Sequence, residues 1–311
     1  MIRLDLELQL EYEILDDAGA DFIFNIHAAR TGQQFVRHEQ LSLSQPLQPQ
    51  FHTDATATRF MRVHAQPGPL TLSYAATVDI DHHRCDPASL REVPVRELPL
   101  DLMPYLYPSR YCQADRLLRL AAREFGGMPP GYSRVVAIQQ WVQQRTTFAS
   151  NTSTASTSAL DTLLDQVGVC RDFTHLMIAL CRAVNIPCRM ATGTDYGADV
   201  ALGPPDFHAY VEAFLGDRWY IFDASGTGIP LGFMRFGTGR DAADVAFATI
   251  FGRVNSLSPL IRVEARSGPG LELPHPVDAA ISTSALHDAG VPAGGDVEAA
   301  RSSAELSAEA Y

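Results

Sequence analysis

From Ile2 to Leu10 every even position is apolar, and every odd position from Arg3 to Glu11 is polar. This period of two predicts a strand with one face in a core and the other in water. The Asp16-Asp17-Ala18-Gly19 turn follows, and apolar runs return at Phe22-Ile23-Phe24-Asn25-Ile26, Phe60-Met61-Arg62-Val63 and Leu70-Thr71-Leu72-Ser73-Tyr74. Short strands parted by Pro, Gly and polar turns predict an N-terminal antiparallel β-sandwich over residues 1–85.

The pattern then changes. Pro87, Pro94, Pro99, Pro104 and Pro108 restrict both helix and ladder pairing, so residues 86–110 read as an extended proline-rich connector. From Gln113 the period is helical, with Leu117, Leu118, Ala121 and Ala122, and again with Val135, Ile138, Trp141 and Val142 after a glycine-rich break. Residues 146–158 are rich in Ser and Thr and read as a surface loop, and residues 159–167 as a short helix. Phe173, Leu176, Met177, Leu180, Cys181 and Val184 form one stripe of an amphipathic helix, which Asn185-Ile186-Pro187 ends before a strand at Cys188. The expected fold class is α+β: the sandwich, a helix-and-sheet domain over 111–262, and a mobile C-terminal tail over 263–311, where apolar residues thin out.

Composition narrows the partners. At 311 residues the chain has room for two cores. Its formal net charge of -12, from 36 acidic against 24 basic side chains, disfavours nucleic acid or an anionic membrane surface as a partner. The N-terminus lacks the apolar run of a secretory signal, and no window of about twenty apolar residues exists to span a bilayer. Cytoplasmic residence is the expectation. Cys85, Cys112, Cys170, Cys181 and Cys188 are odd in number and irregular in spacing, which suits a reducing compartment.

Chemistry centres on Cys170. It precedes Phe173 by one turn on the same stripe, so the thiol faces inward at a helix start, where the macrodipole favours thiolate and free first-turn N–H groups can stabilise an oxyanion. The strand-like runs His208 to Leu215 and Arg218 to Asp223 are joined by Gly216-Asp217, which predicts a hairpin. With that turn Leu215 opposes Arg218 and Tyr210 opposes Asp223, leaving His208 diagonal to Asp223 on one face. A slip of one residue would separate them. An imidazole that takes the thiol proton, held by a carboxylate, is the arrangement that acyl transfer through a thioester requires.

The runs Gly168-Val169-Cys170-Arg171-Asp172-Phe173-Thr174-His175-Leu176, Ile186-Pro187-Cys188-Arg189, Asp206-Phe207-His208-Ala209-Tyr210-Val211-Glu212 and Trp219-Tyr220-Ile221-Phe222-Asp223 resemble the bacterial transglutaminase-like superfamily of candidate cysteine proteases. Tyr107-Pro108-Ser109-Arg110-Tyr111 is similar to a segment that precedes that domain. The resemblance covers about residues 105 to 255, and its members usually carry an N-terminal β-domain. It implies Cys170 as nucleophile, His208 as base and Asp223 as orienting acid, in a papain-like core with the cysteine helix on an antiparallel sheet. The calcium activation of animal cross-linking relatives is not implied, because no acidic loop has a calcium-binding pattern.

Other residues read more simply. Cys181 and Cys188 are core thiols, Arg171 and Asp172 are a surface residue and a first-turn charge complement, and His175 lies about 500° around the helix from Cys170, a poor ligand geometry. His82, His83 and Cys85 lack the second ligand pair of a zinc finger. The expectation is therefore a cofactor-free, metal-free enzyme acting on amides of a peptide or protein, hydrolytic by preference. The rivals are a transamidating cross-linker with the same three residues and a noncatalytic peptide-binding module.

Overall fold

The computed structural model describes residues 1–197 and 206–285. The first strand, β1 (Ile2–Ile14), buries its even positions and wets its odd ones. It is followed by β2 (Ala20–Phe24), β3 (Gln34–Leu43), β4 (Gln50–Thr53), β5 (Arg59–Ala65), β6 (Gly68–Ile80) and β7 (His83–Cys85). Strands β1, β6 and β3 make one antiparallel sheet and β2, β5 and β4 part of a second. Leu4, Leu6, Leu8 and Leu10 meet Phe22, Phe24, Met61 and Leu72 between them.

Three segments then lead to the sheet of the second half. The proline-rich stretch is not extended: Pro87–Ser89, Val95–Glu97 and Leu100–Tyr105 are tight helical turns, since a fixed proline φ starts such a turn as readily as it lengthens a chain. Leu98 and Leu102 pack there on Phe214 and Trp219. Next come α1 (Ala114–Phe125), α2 (Tyr132–Arg145), β8 (Thr147–Phe148), α3 (Ala159–Asp165), β9 (Val167–Gly168) and α4 (Cys170–Ala183). Strands β10 (Cys188–Asp195), β11 (His208–Leu215), β12 (Arg218–Phe222) and β13 (Phe233–Gly239) form an antiparallel sheet in the order β12-β11-β10-β13.

Helix α4 is the pillar of this half. It is buried all round from Asp172 to Ala183, not on one stripe as its pattern predicts. The polar positions are inside because each finds a partner. Thr174 donates to the Ala209 carbonyl at 3.0 Å, His175 accepts from the Ala242 N–H at 3.2 Å, and Arg182 donates to the Cys188 carbonyl at 2.8 Å.

The end of the chain returns to the beginning. After α5 (Ala242–Val245), β14 (Ala248–Phe251) pairs with β2, while β15 (Val254–Ser256) and β16 (Leu260–Ala265) pair with β1. Finally β17 (Ala280–Ser282) pairs with β7. Residues 248–265 thus complete the sandwich, which corrects the expected placement of 248–262 in the helix-and-sheet domain, and the expectation of a tail from residue 263 is corrected for 263–285; residues 286–311 lie outside the described residues. The reason is lateral hydrogen bonding. The β1 edge offers unpaired backbone groups that a short, sparsely apolar strand can satisfy. Among the described residues no helix is long and apolar enough to cross a membrane.

A buried charge cluster joins this last segment to the sheet. Glu212, with no exposed surface, accepts from Arg189 at 2.7 Å and Arg235 at 3.1 Å. Both guanidinium groups also donate to the Ser284 hydroxyl, and Arg218 donates to the Ser284 carbonyl at 3.2 Å. Removing the one carboxylate would leave two buried cations uncompensated. Glu212→Gln is expected to lower unfolding stability by about 3–5 kcal/mol in urea denaturation; a loss below about 1 kcal/mol would show that the arginines do not depend on it.

Candidate active site

Cys170 is the first residue of α4, and the start is built by close contact. A Cβ added to Gly168 would lie 2.7 Å from the Asp172 Cβ. The buried Asp172 carboxylate accepts from the Val169 N–H and the Ser153 hydroxyl, each at 2.9 Å, so it satisfies a donor at the helix entrance. Arg171 donates to the Ser153 hydroxyl and the Thr154 carbonyl. The Ser/Thr-rich loop is thereby fastened to the helix start.

The sulfur is half-buried and lies against the backbone on both sides of His208. Its S–H donates to the Phe207 carbonyl at 3.9 Å, while the Ala209 and Arg171 N–H groups donate towards it. Burial pushes the thiol up to about 12, and those two donors only partly oppose it. Desolvation thus opposes the acidification expected from the helix end.

His208 opens β11 and Asp223 follows β12. The ladder runs from Leu215↔Arg218 to Val211↔Phe222, the register that the Gly216-Asp217 turn predicts. Gly216 has φ 61°, the left-handed conformation that such a turn demands. Continued by one pair, this register sets Tyr210 against Asp223 and puts His208 and Asp223 on one face. The imidazole Nε2 is 3.4 Å from Asp223 Oδ1.

Asp223 is itself held from several sides. Its carboxylate accepts from the Ser225 N–H at 3.0 Å, the Ser225 hydroxyl at 2.7 Å and the Gly228 N–H at 2.7 Å. Gln139 and Gln143 of α2 both donate to its backbone carbonyl. Burial pushes the carboxyl up, but His208 and these donors outweigh burial and hold it below the ordinary aspartate value. For His208 burial favours the neutral ring; the facing carboxylates of Asp195, Asp223 and Asp206 overcome that and raise its proton affinity above the ordinary histidine value.

The other sequence candidates have structural settings. His175 stacks on Tyr111 with ring centres 4.9 Å apart, Cys181 and Cys188 are fully buried in the core, and Cys85 donates to the Tyr220 hydroxyl at 3.5 Å. Asp195, Tyr210, Gln139, Gln143, Ser225 and Gly228 were not singled out by sequence. Only the two glutamines carried a local signal, a polar pair at i and i+4 beside apolar Ile138 and Val142.

Comparison with known proteins agrees with this architecture. Residues 119–224 match the transglutaminase-like superfamily, and residues 2–101 match the bacterial transglutaminase N-terminal domain. The chain belongs to the transglutaminase-like superfamily. A solved structure of a candidate cysteine protease from Cytophaga hutchinsonii is 37% identical with a TM-score of 0.83, covering 90% of this chain and 97% of that one. An uncharacterised protein of Mycobacterium leprae (strain TN) is 27% identical over 145 residues, 45% of this chain and 52% of that protein. The match spans about half the length of that curated relative. In this transglutaminase-like chain Cys170, His208 and Asp223 all fall inside the matched core.

The Asp223 charge supports the imidazolium, so Asp223→Asn is expected to move the His208 titration to lower pH by about one unit or more in NMR. An unchanged His208 titration would mean that the 3.4 Å contact carries no electrostatic weight.

Proposed function

We propose that this transglutaminase-like protein is a cysteine-dependent acyl-transfer enzyme that hydrolyses amide bonds of peptides or proteins. One observation carries the proposal: the Cys170 sulfur sits at a helix start against the backbone flanking His208, whose ring meets a carboxylate fixed by three hydrogen bonds. The resemblance to the Cytophaga hutchinsonii candidate cysteine protease supports it.

In the proposed reaction His208 takes the Cys170 proton as the sulfur attacks the substrate carbonyl carbon. The C–S bond forms, and the carbonyl electrons move to an oxyanion beside the backbone N–H of Cys170 at the start of α4. As the tetrahedral species collapses, the C–N bond breaks and His208 passes its proton to the leaving amine. Water, deprotonated by the same imidazole, then attacks the thioester and releases a carboxylic acid and the thiol. Asp223 keeps the ring oriented and stabilises its cation throughout. Because burial favours the protonated thiol, the scheme assigns its deprotonation to His208. Hydrolysis is preferred to cross-linking because a transamidase must favour an amine over water, and no wall formed by the described residues is recognisable as an amine-binding surface.

The test is turnover of glutamine-containing peptides with and without a labelled amine, read by mass spectrometry. New carboxylates or cleaved peptides are expected; incorporation of the amine would favour the transamidase. Cys170→Ala is expected to lose at least about 10⁴-fold in rate and His208→Ala about 10²–10⁴-fold. Modification of Cys170 by iodoacetamide no faster than a free thiol, together with no turnover, would favour a noncatalytic peptide-binding module.

A further inference from the structure

The second nitrogen of His208 also faces a carboxylate. Asp195 is the last residue of β10, and the pairing Gly193↔His208 places it two residues further along the same face of the sheet. Its Oδ2 lies 3.9 Å from His208 Nδ1, and its side chain is 2% exposed. The Tyr210 hydroxyl donates to the same oxygen at 2.7 Å, and the Tyr210 ring lies 4.5 Å from the imidazole.

Nothing loose holds this arrangement. Tyr210 is fully buried and packs on Phe233 with ring centres 4.4 Å apart. A Cβ added to Gly228 would come within 2.4 Å of both Asp195 Oδ2 and the Tyr210 hydroxyl. Gly228 is also the residue whose N–H holds Asp223. The same backbone position thus closes one carboxylate into place and binds the other.

A buried carboxylate with a neutral phenol as its hydrogen-bond donor is costly unless a cation faces it. The cation available here is His208 in its protonated form. We propose that Asp195 is a positioning residue for the base: from the Nδ1 side, opposite Asp223, its charge acts on the imidazole across 3.9 Å and steadies the ring once it has taken the Cys170 proton. This rests on the reading of His208 as the base for Cys170. The groups facing the ring are Asp195 from β10, Asp223 from the end of β12, Asp206 from the segment before β11, and Tyr210 from its own strand. Asp195 is the leading charge that raises the ring's proton affinity against the effect of burial.

The consequence is a pH effect. Thiol and imidazole lose protons as a pair, and the reactive form is the pair with one proton gone, whichever atom keeps the other. A negative charge nearby opposes that first loss. Removing the charge therefore makes the first proton leave at lower pH.

The experiment is iodoacetamide alkylation of the full-length protein from mild acid to alkaline pH, with Cys170 modification quantified by peptide mass spectrometry. Asp195→Asn is expected to move the acid limb of the rate profile down by about one pH unit. Tyr210→Phe leaves the carboxylate charged but removes the donor that shares that charge, so more of it acts on the imidazolium and the limb is expected to move up, by less. An Asp195 that merely locks the strand end would alter the overall rate and leave the limb in place, and that result in both variants would overturn the proposal. His208→Ala separates the two levels. If it leaves the wild-type profile unchanged, His208 is not the base and the underlying reading fails; if it abolishes the limb while Asp195→Asn and Tyr210→Phe leave it unmoved, only the role of Asp195 fails.

Discussion

A two-residue turn decides whether this protein has a site at all. Gly216, in the left-handed conformation, lets β11 and β12 pair with Leu215 opposite Arg218. Side chains alternate along a strand, so this register alone puts His208 and Asp223 on one face. Around that face the molecule supplies support from elsewhere: α2 grips the Asp223 carbonyl, the segment after β12 grips its carboxylate, and α4 brings the sulfur to the backbone around His208.

Burial sets the electrostatics around Cys170 and His208. It drives the Cys170 thiol up and favours a neutral His208, yet three carboxylates reverse the second effect and not the first. The base proposed for this sulfur, His208, has a proton affinity that is itself a balance between desolvation and negative neighbours. Such a balance is sensitive to single charges, which is the basis for the role proposed for Asp195 on the far side of the ring from Asp223.

Local pattern made much of this legible. The alternation from Ile2 to Leu10 is a strand that buries its even positions, the Gly216-Asp217 turn specifies the hairpin, and the stripe after Cys170 is a helix starting at the thiol. What was hidden depends on partners far along the chain. Helix α4 looks amphipathic because Thr174, His175 and Arg182 are polar, and only their distant partners reveal why they are buried. Residues 263–285 look like a tail because the alternation Ile261-Arg262-Val263-Glu264-Ala265 is short and β17 has three residues, so their pairing to β1 and β7 shows only in the folded chain. Asp195 carries no local mark, since its meaning arises from the β10–β11 pairing that places it beside His208.

The central claim is that sulfur and imidazole titrate as one unit. The direct measurement is the NMR titration of His208 in the native protein and in protein whose Cys170 is capped as a methyl disulfide. Capping removes the thiolate that would otherwise stabilise the imidazolium, so the high-pH step of the His208 titration is predicted to move to lower pH. Superimposable curves before and after capping would mean that the two groups do not sense each other, and would contradict the account.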